Sequence, residues 1–141
     1  MKPAAMWAHR RLRGKCPRYL DARDNPELRL LYPDVPELVG VYDNPDGIQP
    51  GRILIADDGL YLLARAKRQV VKYAALESVD APHDKEEPGP GALLLVYRDG
   101  QRSTLIIGGR NGTYRDVYQF AHFLMRVVDS TTKVSGTGVG R

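Results

Sequence analysis

The chain is poor in the residues that carry most catalytic and metal chemistry. It has one cysteine, Cys16, and three histidines in 141 residues. A lone cysteine excludes an intrachain disulfide and points to a reducing cytoplasm. His9, His83 and His122 are scattered, and Cys16 has no partner at metal-ligand spacing, so no metal centre is expected. Long apolar runs are missing too. "ALLLVY" is among the longest, far short of a membrane-spanning helix. No apolar h-region precedes the arginines of "MKPAAMWAHRRLRGKC", which argues against a signal peptide. The stretch is Arg-rich like an organelle presequence but lacks the serines of one.

Acids are absent from residues 1–18, which carry Lys2, Arg10, Arg11, Arg13, Lys15 and Arg18. The remaining 15 basic and 17 acidic residues leave the rest of the chain at −2, within a total of +4. The basic excess therefore belongs to a short arm. Such an arm suits nucleic acid, anionic lipid or an acidic protein, and otherwise reads as a disordered leader. The rest shows no basic stripe interleaved with exposed aromatics, so nucleic acid is not the expected partner.

What is present is ordinary globular composition, 43% hydrophobic and 27% charged, in one domain's length. "DNPELRLLYP" predicts a short helix, with Asn25 as N-cap, Pro26 at its first position and Pro33 as its stop. From Leu38 the signals become strands. Asp58-Gly59 and Asp99-Gly100 lie between apolar runs and predict two hairpins. Strands are expected near 38–42, 52–56, 60–65, 69–74, 76–81, 92–98 and 102–107. Val117, Ala121, Leu124 and Val128 follow helical spacing, with Phe120 and Val127 widening the stripe. That helix is expected to begin at Thr113 or Tyr114 and to end near Asp129. "STTKVSGTGVGR" reads as a flexible tail. The fold class is thus α+β, mainly β. It divides into a basic arm with a short helical extension (1–37), the main domain (38–130) and the tail (131–141).

"RILIADDGLYLLARAKRQVVKYAALESVDAP" and "LIIGGRNGTYRDVYQFAHFL" resemble the core strands and the closing helix of bacterial-type pleckstrin-homology-like domains, GRAM-type members included. The resemblance covers roughly 38–130. It implies a seven-stranded antiparallel barrel or sandwich closed by one C-terminal amphipathic helix. It also implies a non-enzymatic module, with no catalytic residues and no cofactor, that binds a protein as an adaptor or as an immunity protein against a toxin. Many such domains bind phosphoinositides through a basic loop between their first two strands. The matching loop here, "DNPDGIQPG", is acidic, so a peripheral module on anionic lipid head groups is the second expectation.

The implied partner-binding residues are Asp43, Asp46 and Gln49 in that loop, with Arg65, Lys67 and Arg68 two loops on. "GGRNG", residues 108–112, raises a separate question. It lacks the Lys-Ser/Thr of a P-loop and the setting of a dinucleotide loop. Anion binding there would use Arg110 and Arg115 at the helix start. The structural reading is that glycine and Asn tolerate positive φ where the chain must turn. Finally, "ALLLVY" and "LII" are apolar on both faces. If Leu93, Leu95 and Leu105 point inward, Leu94, Val96 and Ile106 need a cover. Leu28 and Leu31 of the extension are expected to supply it; otherwise the 92–107 hairpin is a homodimer or partner surface.

Overall fold

The computed structural model describes residues 2–65, 67–81, 91–111 and 114–138, without the side chains of 110, 111, 114 and 132–138. The chain is mainly β, with three α-helices, as the turn and period signals require. Five antiparallel strands run in sequence order as one meander: β1 (Tyr19–Asp21), β2 (Leu38–Asp43), β3 (Arg52–Ala56), β4 (Gly59–Leu63) and β5 (Arg68–Lys72). A single 3-10 turn, Tyr73–Ala75, leads to a second, three-stranded sheet: β6 (Leu76–Asp80), β7 (Gly91–Tyr97) and β8 (Arg102–Ile107). A two-residue ribbon, β9 (Arg110–Asn111) with β10 (Tyr114–Arg115), precedes the last helix.

The two sheets are not closed into a barrel, which corrects the closed form of the expected fold. Both corners explain this. At one, the 3-10 turn interrupts the backbone ladder between β5 and β6. At the other, the Asn44 side chain replaces a ladder. Its Nδ2 donates to Pro50 O and Ile106 O, both at 2.8 Å, and its Oδ1 accepts from Gly108 N at 2.8 Å.

The inner faces of both sheets meet in one core. Tyr42, Ile53, Ile55 and Leu60 face Leu76, Leu93, Leu95 and Leu105 across it. The last helix, α3 (Asp116–Gly138), fills the open side with Val117, Phe120, Ala121, Leu124 and Val127, as its periodicity predicts, and with Phe123. It begins later than expected because Tyr114–Arg115 is drawn into the ribbon. It also runs through Gly138, over most of the stretch that reads as a flexible tail.

The N-terminal stretch departs furthest from its sequence reading. Residues Pro3–Arg11 form helix α1, which packs against α3. Ala4, Ala8 and Leu12 recur every four residues and are buried, followed by buried Cys16. Small side chains on that face let the two helices approach closely. Two cations of the arm find intramolecular acids. Arg13 grips Asp24 at 2.8 and 2.7 Å, and Lys2 meets Glu37 at 2.7 Å. Trp7 lies between Arg10 and Arg126, whose guanidinium carbons stand 5.3 and 5.5 Å from its ring centre. The disordered-leader reading is therefore overturned: this segment is a structural helix.

The doubly apolar element is also not the expected one. Leu93, Leu95 and Leu105 do point inward, and Leu94, Val96 and Ile106 are half-buried on the other side. Leu28 and Leu31 do not cover them. The short helix α2 (Glu27–Leu31) lies on the outer face of the five-stranded sheet. There Leu28 and Val35 bury Leu38, Val41, Leu54, Ala56 and Tyr61. Leu31 is exposed at 61%. β3 ("RILIA") needed the cover, because its Ile53 and Ile55 face the main core while Leu54 and Ala56 face α2.

Candidate partner-binding surface

The β2–β3 connection, residues 44–51, forms a recess of about 450 Å³. Gly47, at φ 87°, makes its tight turn, a conformation that carries no steric cost for glycine. Asn44 fixes the base of the loop through the bonds to β8 and Pro50 described above. Gln49 fixes its tip, since its Oε1 accepts the Arg65 backbone N–H at 3.0 Å. The β2–β3 and β4–β5 loops are thereby tied together, a link between residues 16 apart that no local sequence signal carries.

Of the residues implicated by sequence, Asp43, Asp46 and Gln49 line this recess. Arg65 joins it through its backbone. Lys67 is exposed nearby in sequence. Arg68 is directed elsewhere, to Asp34. Two functional candidates were missed, Arg18 and Arg52. Arg18 precedes β1 and reaches the loop by donating to Asp43 O at 3.3 Å. Arg52 holds the Asp43 carboxylate at 2.7 Å and donates to the Tyr32 hydroxyl at 2.6 Å. The recess thus presents two cations, Arg18 and Arg52, and two anions, Asp43 and Asp46. Asn44→Ala is expected to cost about 1–3 kcal/mol, because it leaves the Gly108 N–H and two carbonyls without their partner. Urea denaturation would check this, and the loop amides should broaden in NMR spectra.

The glycine-rich segment lies behind the recess and answers to packing. Neither Gly108 nor Gly109 has positive φ, so conformational freedom is not why glycine stands there. Close approach is. A Cβ on Gly108 would stand 3.0 Å from Pro45 Cδ, and one on Gly109 would overlap the Asp116 carboxylate and the Tyr42 hydroxyl. Arg115 is buried, not displayed at an anion site, and the Arg110 side chain lies outside the described residues.

Beneath Gly109 is a buried polar cluster. The Tyr42 hydroxyl donates to Asp116 Oδ2 at 2.7 Å and accepts from Gly109 N at 3.1 Å. Asp116 N donates to Gly109 O at 3.1 Å. Asp116 is 1% exposed, and its Oδ1 has no N–H or O–H donor among the described residues. Burial raises the Asp116 carboxyl from its ordinary value, against the lowering effect of the hydrogen bonds from Tyr42 and Cys16. Burial first, and then the Asp116 charge, push the Cys16 thiol well up. A thiol so held stays protonated at neutral pH, and only a thiolate is an effective nucleophile. Among the described residues no three His, Cys, Asp or Glu side chains cluster as metal ligands would. No described helix is long and apolar enough to cross a membrane.

A raised carboxyl contributes stability that is fully present below its unfolded pKa and is lost as pH rises through its folded pKa. The stability of wild type relative to Asp116→Asn is therefore expected to fall as pH rises from the ordinary Asp value of about 3.9 through the raised folded-state value, by about 1.4 kcal/mol for each unit of pKa elevation. Denaturation series of both proteins across that range check the sign; a rising difference would contradict it.

No protein-family model and no curated protein sequence matches the chain.

Proposed function

We propose that the protein is a non-enzymatic, pleckstrin-homology-like module that binds another protein at its loop end, working in the cytoplasm as an adaptor or as an immunity protein. The observation that carries the reading is the recess lined by Arg18, Asp43, Asp46, Gln49 and Arg52, which hydrogen bonds from Asn44 and Gln49 hold in shape. Equal numbers of acidic and basic side chains suit a protein surface, where complementary charges set register and exclude wrong partners. They suit anionic lipid poorly. A headgroup layer rewards uncompensated cations at about 1 kcal/mol each, and here Arg52 is paired with Asp43 and the loop carries Asp46 besides.

The test compares the full chain with the double variant Asp46→Arg, Gln49→Ala. Immobilised wild type is expected to retain a protein from extracts of the source organism. The variant is expected to bind it about tenfold more weakly, a loss of about 1.4 kcal/mol. In parallel, vesicles with and without phosphatidylserine are sedimented with the wild type. Salt-sensitive binding to the anionic vesicles, unaffected by the loop variant and without a retained protein, would replace this reading with the lipid one.

A further inference from the structure

The β5 edge of the five-stranded sheet is unpaired among the described residues, and its geometry indicates what it accepts. β5 ends the sheet, and among the described residues no other strand pairs with it. Ala64 N donates to Lys67 O at 3.1 Å, and Tyr73 N to Asp58 O at 3.2 Å. These two bonds set the phase of the β4–β5 ladder. Hydrogen-bonded pairs alternate along antiparallel strands, so Leu62–Gln69 and Leu60–Val71 exchange bonds, whereas Leu63–Arg68, Tyr61–Val70 and Gly59–Lys72 do not. The N–H and C=O groups of Arg68, Val70 and Lys72 therefore face away from β4, along the free edge.

The side chains of the same three residues share the outer face. The Arg68 guanidinium carbon and the Lys72 ammonium lie 5.5 and 5.8 Å from the Tyr61 ring centre, and Val70 between them is 43% exposed. A second copy of this chain is a poor occupant. Antiparallel self-pairing about Val70 would set Arg68 opposite Lys72 twice, and like charges directly opposite destabilise a sheet. An edge so charged is protected against itself while remaining complementary to acids. Arg68 and Lys72 are paired with Asp34 and Asp58. Pairs this exposed are worth only about 0–1 kcal/mol, so incoming carboxylates can exchange with them.

We propose that β5 receives an extended protein segment as a sixth strand, with acidic, apolar and acidic side chains facing Arg68, Val70 and Lys72. This rests on the reading of the protein as a protein-binding module and names a second contact for its partner. Main-chain bonds would supply affinity and the three alternate side chains specificity.

The probe is a blocked peptide, acetyl-Glu-Thr-Val-Thr-Glu-amide, titrated into the full chain and followed by backbone amide NMR. The acidic peptide is expected to shift the amides of residues 68–72, more weakly as salt is raised. The counterpart with Lys in place of Glu is expected to leave them unmoved. Val70→Pro removes an N–H that the ladder does not use, and proline is tolerated on such an edge; the affinity should fall about tenfold or more, about 1.4 kcal/mol per factor of ten. Arg68→Glu with Lys72→Glu keeps the edge and should transfer the preference to the Lys peptide. Equal binding of the two peptides, shifts centred on 43–49, or no binding of either at millimolar concentration would overturn the proposal. Those results leave the loop-end reading standing, because its test uses Asp46 and Gln49. Loss of that reading with edge binding intact would equally be visible.

Discussion

A chain lacking residues 2–18 is expected to lose its native fold, with no cooperative unfolding transition and an increased tendency to associate. The deletion removes Ala4, Ala8, Leu12 and Cys16, all within 2% of full burial, together with the Trp7 ring packed beside them. Truncating a buried leucine such as Leu12 costs about 2–5 kcal/mol by itself. Uncovering the α3 face that α1 shields adds exposed apolar surface at about 25 cal/mol per Å². The total stability of a domain is about 5–15 kcal/mol, so the sum of these losses consumes it. Near-UV circular dichroism and light scattering on the truncated protein check the outcome. A monomeric protein with a cooperative transition within about 1 kcal/mol of wild type would show that α1 only decorates the fold. Partner binding could then be assigned to the basic arm after all.

Gly109→Ala is expected to cost about 2–6 kcal/mol, the sum of overpacking and of a broken buried hydrogen bond. The added carbon would overlap both the Asp116 carboxylate and the Tyr42 hydroxyl. Overpacking of a buried site costs about 1–3 kcal/mol. Relief by rotating either side chain breaks the 2.7 Å Tyr42–Asp116 bond, leaving a buried carboxyl without its donor, which adds about 1–3 kcal/mol. Tyr42 also stacks edge-on against Phe120, with ring centres 5.8 Å apart, so it cannot move without disturbing the helix. Chemical denaturation of Gly109→Ala measures the cost. The same change at Gly100, where an added Cβ meets nothing within 4 Å but φ is 89°, should cost only its backbone strain, about 1 kcal/mol. If the two variants were equally stable, close approach would not be the reason for glycine at 109.

The strands from Leu38 onward were legible because their signals are local. Asp58-Gly59 and Asp99-Gly100 require turns, and runs of β-branched and leucine residues flank them. The α3 stripe was legible for a similar reason, since Val117, Ala121, Leu124 and Val128 can share a face only in a helix. β1 was not legible. It has three residues, Tyr19–Asp21, and its extended state depends on pairing with Val41 and its neighbours, some twenty residues away. α1 was hidden by alanine. Ala4 and Ala8 carry little hydrophobic signal, yet small size is what lets α1 sit against α3.

The candidate surface divides along the same line. Asp43, Asp46 and Gln49 stand in one turn, so the sequence by itself brought them together. Arg18 and Arg52 meet Asp43 only because β1 and β3 flank β2, and Arg68 leaves the group because Asp34 lies across the sheet face from it. Local sequence determined the turns, the strand order from β2 onward and the closing helix, since each rests on dihedral preference and periodicity within a few residues. The tertiary structure alone decided which side chains share a surface, which face of β3 receives α2, and that two sheets stay open. Those outcomes depend on contacts such as Asn44 with Ile106 and Leu28 with Leu54, whose partners lie too far apart along the chain for any local pattern to encode.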